Sequence, residues 1–426
     1  MNEKKQFNKY KWLNLLTFSL MYNFVYLGRF NVNNLLPQLR EEFLFTGKQE
    51  ELLTISVFFC YAFGSIINGY LADRYGGKKI ILIGTVVSIY ANLFITTMSG
   101  FGGIFLLWSV NGYFQSMIWV GGISLLSKWW NTGERGRGIG IANFFSGLSH
   151  VTAYLLPALL LTLWPYFTWK NLIVFPMYVL GVLLIVFCLL AVESPEKKGL
   201  LPYIPSEATK EKENIMKKLY GKKRLSFQYF TRVDKLGWWC GIALLSSMCR
   251  YGLLKWIPTY YALDTGKQLL GETFSNILLP AGMAFGTLLL TWIGGTLLKH
   301  NKGVVIVWAA ALSGALIIIF PMTNNPTVVL VGIFFTGFFL YGINGMLWLY
   351  AIETGCRYFS GRMTGVLNCC AYLGATLESF IFPAVIRMTE EIISVFILME
   401  ALCVGMIVLG MIVSNKNTVI EPEVKE

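Results

Sequence analysis

Apolar runs of about 20 residues recur along nearly the whole chain, and each is long enough to cross a hydrocarbon core as a helix. No other feature restricts the fold so tightly. Of the 426 residues, 55% are hydrophobic and only 14% are charged, whereas soluble domains carry about 25% charged residues. A soluble chain would need one very large dry core to hide so much apolar surface. The chain is therefore read as an all-α membrane protein of about twelve spans. They are expected near 12–37, 52–72, 79–98, 102–127, 138–162, 171–193, 236–261, 272–298, 304–321, 326–352, 361–386 and 391–414.

The net charge is +12, but its placement argues against nucleic acid as a partner. Of the 35 lysines and arginines, 27 lie in the N-terminal tail, the even-numbered loops and the C-terminal tail. Five lie in the odd-numbered loops (Arg40, Lys48, Lys170, Lys267 and Arg387), and three, Arg29, Arg250 and Lys255, lie inside spans. Basic residues concentrate in cytoplasmic loops, so both termini are expected in the cytoplasm. The polar segment Met1–Lys11 precedes an apolar run too long for a cleavable signal peptide, so span 1 is expected to act as an uncleaved targeting signal. Eight cysteines, Cys369 and Cys370 adjacent among them, fall mostly in apolar spans with no metal-ligand spacing. They read as small core residues rather than disulfides or metal ligands.

One connector stands apart. Residues 194–235 are polar and Lys-rich, with Pro195, Pro202 and Pro205 near their start, and they divide the spans six and six. The expected organisation is an N-terminal half (1–193), a cytoplasmic linker (194–235) with room for a surface helix at 207–223, and a C-terminal half (236–426) ending in a short tail. The halves repeat. Arg29-Phe30 is followed by Pro37, and Arg250-Tyr251 by Pro258, each proline eight residues after its arginine. Gly136-Arg137-x-x-Gly140-Ile141-x-Asn143 recurs as Gly361-Arg362-x-x-Gly365-Val366-x-Asn368. The offsets, 221 and 225, nearly agree, which argues for duplication of a six-helix unit. Transporters are often built this way, with the substrate at the repeat interface near mid-membrane.

The chemistry gathers at the charges inside spans. Arg29 lies 17 residues past Trp12 and 8 before Pro37, too deep to reach water easily, and a charge there costs about 2.5–3.5 kcal/mol even on insertion scales. Tyr22, Tyr26 and Arg29 share one helical face. Arg250 is the repeat mate of Arg29, so the two are expected to meet across a central cavity. Each offers a permanently charged planar fork of donors, and two facing forks suit a tetrahedral dianion such as phosphate. Pairing with Glu378 or Glu400 is the structural alternative. Asn143 is the repeat mate of Asn368, which shares a helix face with Tyr372, so it is expected to face the cavity if Tyr372 does. His150 shares the Asn143 face as a ligand or proton carrier. Lys255, five residues beyond Arg250 toward the outside, is placed to guide anions or to border the extracellular interface. Glu378 is placed to balance charge or touch substrate, and Glu400 to make a structural hydrogen bond.

The loop after span 2 reads Gly69-Tyr-Leu-Ala-Asp73-Arg74-Tyr-Gly76-Gly77-Lys78-Lys79. It resembles the signature of the major facilitator superfamily: a tight turn in which Gly69 permits close helix contact and Asp73 caps a helix or pairs with arginines. The counterpart at 295–302 is degenerate, with Lys299 in place of the aspartate.

Further residues resemble the organophosphate:phosphate antiporters of that superfamily, typified by the glycerol-3-phosphate and hexose-phosphate transporters. They are Tyr22-x3-Tyr26-x2-Arg29, Tyr61, Trp129-Trp130-x3-Glu134-Arg135-Gly136, Arg250-Tyr251-Gly252 with Trp256-x-Pro258-Thr259-Tyr260, Tyr341-Gly342 and Tyr372-Leu373-Gly374. The likeness covers most of spans 1–11. It implies that Arg29 and Arg250 clamp a phosphoryl group and that Tyr22, Tyr26, Tyr61, Tyr341 and Tyr372 line the cavity. Two positions depart from the glycerol-3-phosphate members: Ser65 stands where they have a lysine, and Ser146 where they have a histidine. A lysine at Ser65 is therefore expected to alter substrate preference.

The reading is a monomeric secondary transporter in the bacterial plasma membrane. Its expected partners are the lipid bilayer, a small phosphorylated organic anion and inorganic phosphate, exchanged by alternating access. No cofactor or metal is expected. No nucleophile–base set argues for an enzyme, and no phosphate-binding G-x-x-x-x-G-K-[ST] loop argues for ATP. The rival readings are a proton-coupled symporter of another anion such as a carboxylate, and a transport-like sugar-phosphate sensor.

Overall fold

In the computed structural model, residues 2–131, 133–201, 214, 235–263, 268–298, 301–323 and 325–414 are described. Apart from Asn214 and Lys235, the linker beyond residue 201, with the surface helix expected at 207–223, lies outside the described residues, as do Lys267 and Lys299. Regular structure among the described residues is helical throughout, as it must be where no water is present to satisfy backbone groups.

The first half comprises α1 (Asn2–Val25), α2 (Leu27–Asn34), α3 (Leu36–Phe43), α4 (Gly47–Tyr75), α5 (Gly77–Ile95), α6 (Phe101–Ser127), α7 (Arg135–Leu163) and α8 (Trp169–Leu190). The second comprises α9 (Leu236–Leu263), α10 (Gln268–Thr296), α11 (Lys302–Met322), α12 (Pro326–Gly355), α13 (Ser360–Thr389) and α14 (Ile393–Ser414). Among the described residues, nine helices are long and apolar enough to cross a membrane by length and composition. The remaining spans are those carrying Arg29, Gln115 and Arg250.

Local sequence sets the helix ends. Thr46 and Gln49 form a reciprocal capping box at the start of α4, in which Gln49 Oε1 accepts from the Thr46 N–H at 2.8 Å. Asn325 caps α12 through Thr327 N–H at 3.0 Å, with Pro326 in the first turn. Gly76, at φ 97°, supplies the left-handed turn between α4 and α5.

Span 1 departs from the expected single helix: it is broken at Tyr26 and again at Leu35. Pro37 accounts for the second break, because it lacks an N–H and disfavours helix before it. At the first, the N–H groups of Arg29 and Phe30 both turn to the Tyr26 carbonyl at 3.0 Å, which frees the Val25 carbonyl. Side chains of α5 and α6 take up the freed groups.

The duplication appears in the packing. Helix α4 packs on α6 and, across the halves, on α13; α10 packs on α12 and, across the halves, on α7. Glycines allow the two cross-half approaches. A Cβ on Gly69 would lie 2.5 Å from the Gly361 carbonyl oxygen, and one on Gly136 would lie 2.9 Å from the Gly295 Cα. The recurring Gly-Arg-x-x-Gly segments are thus the small-residue seams of these two interfaces.

Candidate functional site

At one end of the bundle the halves are sealed. Asp73, at the end of α4, accepts hydrogen bonds from the Gly361 and Arg362 N–H groups at 2.8 and 2.9 Å. It thereby caps the N-terminus of α13, where the helix dipole favours an anion. Arg362 Nε stands 3.8 Å from the same carboxylate. Ser360 Oγ donates to Ser127 Oγ at 3.0 Å across the halves, and an Arg357–Glu196 ion pair ties the second half to the start of the linker. Lys78 Nζ donates to the carbonyls of Cys188 and Ala191 at 2.8 Å, tying α5 to α8. Arg74 stays at the surface with Tyr70, 3.2 Å away.

At the other end a cavity of about 510 Å³ opens between the halves. Glu50 and Glu51 stand at its rim, roughly 30 Å along α4 from Asp73 at 1.5 Å per residue. Lys255, Glu378, Tyr154, Tyr251, Phe58 and His150 line it. Glu378 is buried and accepts from Trp256 Nε1 at 3.0 Å. Lys255 and Glu378 therefore belong to this vestibule. Among the described residues neither arginine forms an ion pair with a carboxylate. Glu400 Oε2 is buried against Gly314 with no hydrogen-bond partner, so the bond expected of it is not made.

Beneath the vestibule lies a chamber of only about 20 Å³, lined by Tyr22, Tyr26, Arg250, Tyr341, Asn368 and Tyr372 and closed by Trp119 and Trp348. Arg29 sits beside it, fully buried. Its Nε donates to Gln115 Oε1 at 2.8 Å and its Nη1 to the Tyr372 hydroxyl at 2.6 Å, while Nη2 has no partner. The guanidinium carbon lies 4.3 Å from the Tyr26 ring centre and 4.6 Å from that of Tyr61, cation–π distances that partly replace lost hydration. Arg250 is buried over Tyr251 at 4.3 Å and Tyr341 at 5.0 Å, and its Nε has no partner. A chain of hydroxyls joins the two environments: Ser146 Oγ donates to Tyr26 at 3.4 Å and stands 3.3 Å from Tyr341.

Most of the residues singled out from sequence converge here, with exceptions. Tyr61 stacks on Tyr372 with ring centres 3.9 Å apart and supports the chamber from outside its lining. Asn143 turns its amide back to the Ile139 carbonyl at 3.0 Å and does not line the chamber. His150 lies between chamber and vestibule against Tyr26 and Phe30, with Nε2 unpartnered. Ser65 is fully buried in the α4–α13 seam, where its hydroxyl bonds to the Tyr61 carbonyl and receives Asn368 Nδ2 at 3.3 Å. A lysine at Ser65 has no cavity to enter, so the change expected to retune selectivity would instead strike packing. Gln115, Trp119, Asn344 and Trp348 went unnoticed in the sequence. The repeat carries their signal: 344 and 348 each lie 229 residues after 115 and 119, close to the offsets found for the glycines.

A family model for the Major Facilitator Superfamily matches residues 18–377. The chain belongs to this superfamily. It is a membrane transporter rather than an enzyme. Among curated relatives, the glycerol-3-phosphate transporter of Bacillus subtilis is 26% identical over 88% of this chain and 86% of its own length. A probable hexose phosphate transport protein of Chlamydia pneumoniae is 24% identical over 87% and 85%, and the membrane sensor protein UhpC of Salmonella typhimurium 22% over 86% and 83%. Solved structures share the fold. A human organic anion transporter superposes with a TM-score of 0.72 at 12% identity over 94% of this chain and 99% of that one. The fucose:proton symporter of E. coli gives 0.67 at 14% identity over 95% and 100%.

Proposed function

We propose that this transporter carries a small phosphorylated organic anion, of the glycerol phosphate or sugar phosphate class, in exchange for inorganic phosphate. The observation that carries the reading is the pair of buried guanidiniums, one from each half, that lack a carboxylate partner among the described residues and each hold an unbonded N–H. A buried charge left unpaired is costly, and a dianion shared by Arg29 and Arg250 relieves both. Inorganic phosphate and a phosphate monoester present the same oxygens to such a clamp, which favours exchange. The relatives named for glycerol phosphate and hexose phosphate support the same class.

The chamber as it stands holds about one water. Substrate therefore displaces the Tyr372 hydroxyl from Arg29 Nη1 and draws Arg250 inward, while the vestibule receives the organic portion. The halves, 1–193 and 236–426, then rock about the site. The vestibule closes, and the Asp73–α13 cap with its glycine seams opens at the other end. The charge bias of the loops supports a cytoplasmic setting for that sealed end and both termini, which makes this conformation outward-facing. The protein acts as a monomer, since each chain contains both arginines.

The test is a substrate panel. Proteoliposomes loaded with labelled phosphate are challenged outside with glycerol 3-phosphate, hexose 6-phosphates, dicarboxylates and unphosphorylated sugars. Phosphate efflux driven by phosphate esters alone supports the reading. Efflux driven equally by carboxylates, or uptake that needs a proton gradient and ignores internal phosphate, overturns it.

A further inference from the structure

The break in span 1 is held by a buried amide network that the clamp itself does not explain. The Gly28 carbonyl accepts from Asn111 Nδ2 at 2.8 Å and from Asn92 Nδ2 at 3.2 Å. Asn31 Nδ2 donates to Asn92 Oδ1 at 2.8 Å, and Ser88 Oγ to Asn111 Oδ1 at 2.6 Å. Gln115 sits at the inner edge of this network. Its Nε2 donates to Ser88 Oγ at 3.0 Å and reaches the freed Val25 carbonyl at 3.4 Å, while its Oε1 accepts from Arg29 Nε. Ser88, Asn92, Asn111 and Gln115 are all fully buried. Amides placed this deep are retained where they satisfy otherwise orphaned groups.

We infer that Gln115 is a positioning residue for phosphate recognition: it fixes the Arg29 fork so that one jaw of the clamp is preset in the empty carrier. The inference rests on the phosphate-clamp reading above. An amide suits this task, because a carboxylate would neutralise the guanidinium and an apolar side chain would leave its Nε–H bare. With Nε pinned by Gln115 and the plane held between Tyr26 and Tyr61, Nη2 remains free to bond an incoming oxygen. Arg29 and Gln115 belong to the same half, so rocking leaves their bond intact. Arg250 differs, for its Nε has no partner, and it is the jaw that moves. A preset jaw costs less ordering on binding, so losing Gln115 weakens affinity rather than the rate of reorientation.

The test compares Gln115→Leu with Asn14→Leu in full-length protein. Asn14 is a buried amide in the same half that accepts from Val192 N–H at 2.8 Å, away from the site. Gln115→Leu is expected to raise the KM for phosphate exchange about tenfold, the worth of one hydrogen bond to a charged group, with the maximal rate within about threefold of wild type. Asn14→Leu is expected to lower the melting temperature and leave KM unchanged. An unchanged KM in Gln115→Leu, or an equal rise in Asn14→Leu, overturns the inference. A melting-temperature cycle with Arg29→Leu reads the pairing without any substrate. The double variant should melt higher than the summed single losses require, and additive losses also overturn the inference. If wild type exchanges no phosphate, the proposed function fails, and the cycle decides the pairing on its own.

Discussion

Arginine keeps its charge wherever it is placed, so two of them inside a dry bundle must be met by rings, amides or a ligand. Arg29 has rings and the Gln115 amide, Arg250 has the rings of Tyr251 and Tyr341, and both hold donors in reserve for a ligand. Replacing either by lysine preserves the charge but removes the planar fork, and each variant is expected to lose transport by at least about a hundredfold while remaining folded in the membrane. Uptake assays paired with chromatographic profiles of the purified variants check this. Ser65→Lys is expected to lower the yield of folded protein, because the new side chain would enter the seam between α4 and α13, where Ser65 meets Asn368 and Gly365. Size-exclusion profiles would show it, and a well-folded variant with altered selectivity would contradict the packing seen here. Arg29 was legible in the sequence because a charge inside an apolar run is rare. Gln115 was not, because an amide in a span gives no sign of its partner, and its bond to Arg29 crosses 86 positions of sequence.

Among the elements, the seams α4–α13 and α7–α10 are the parts that must part and rejoin. Gly69→Val is expected to block their closure, since even its Cβ would meet the Gly361 carbonyl oxygen at 2.5 Å, a backbone atom that cannot step aside. Asp73→Asn removes the charge that caps α13, worth about 1–2 kcal/mol for such a cap. The population should then shift roughly tenfold toward the form open at that end. Spin labels at the exposed Arg74 and Tyr358, one in each half, would report a longer distance in both variants. An unchanged distance would mean that the cap does not hold the gate. The repeat told which segments correspond, and the contacts show why: each Gly-Arg-x-x-Gly segment lies in one cross-half seam. The sequence did not tell that Asp73 reaches a helix 288 residues away, nor that span 1 breaks at Tyr26, where no proline stands and the cause lies in amides supplied by α5 and α6.

At the scale of the whole molecule, a vestibule of about 510 Å³ faces one side and a capped, glycine-sealed end faces the other. The contracted arginine chamber lies between them. This is the arrangement an exchanger needs when empty, with the site reachable from one side only and unable to conduct through both. In the proposed function, one phosphoryl clamp serves both the organic substrate and inorganic phosphate. The direct measurement is uptake of labelled phosphate into proteoliposomes preloaded with unlabelled phosphate, with no proton gradient imposed and with Arg29→Lys and Arg250→Lys reconstituted in parallel. Wild type is expected to take up phosphate rapidly, in dependence on internal phosphate, and both variants to lose that uptake. Uptake that is indifferent to internal phosphate, or that survives in either variant, would contradict it.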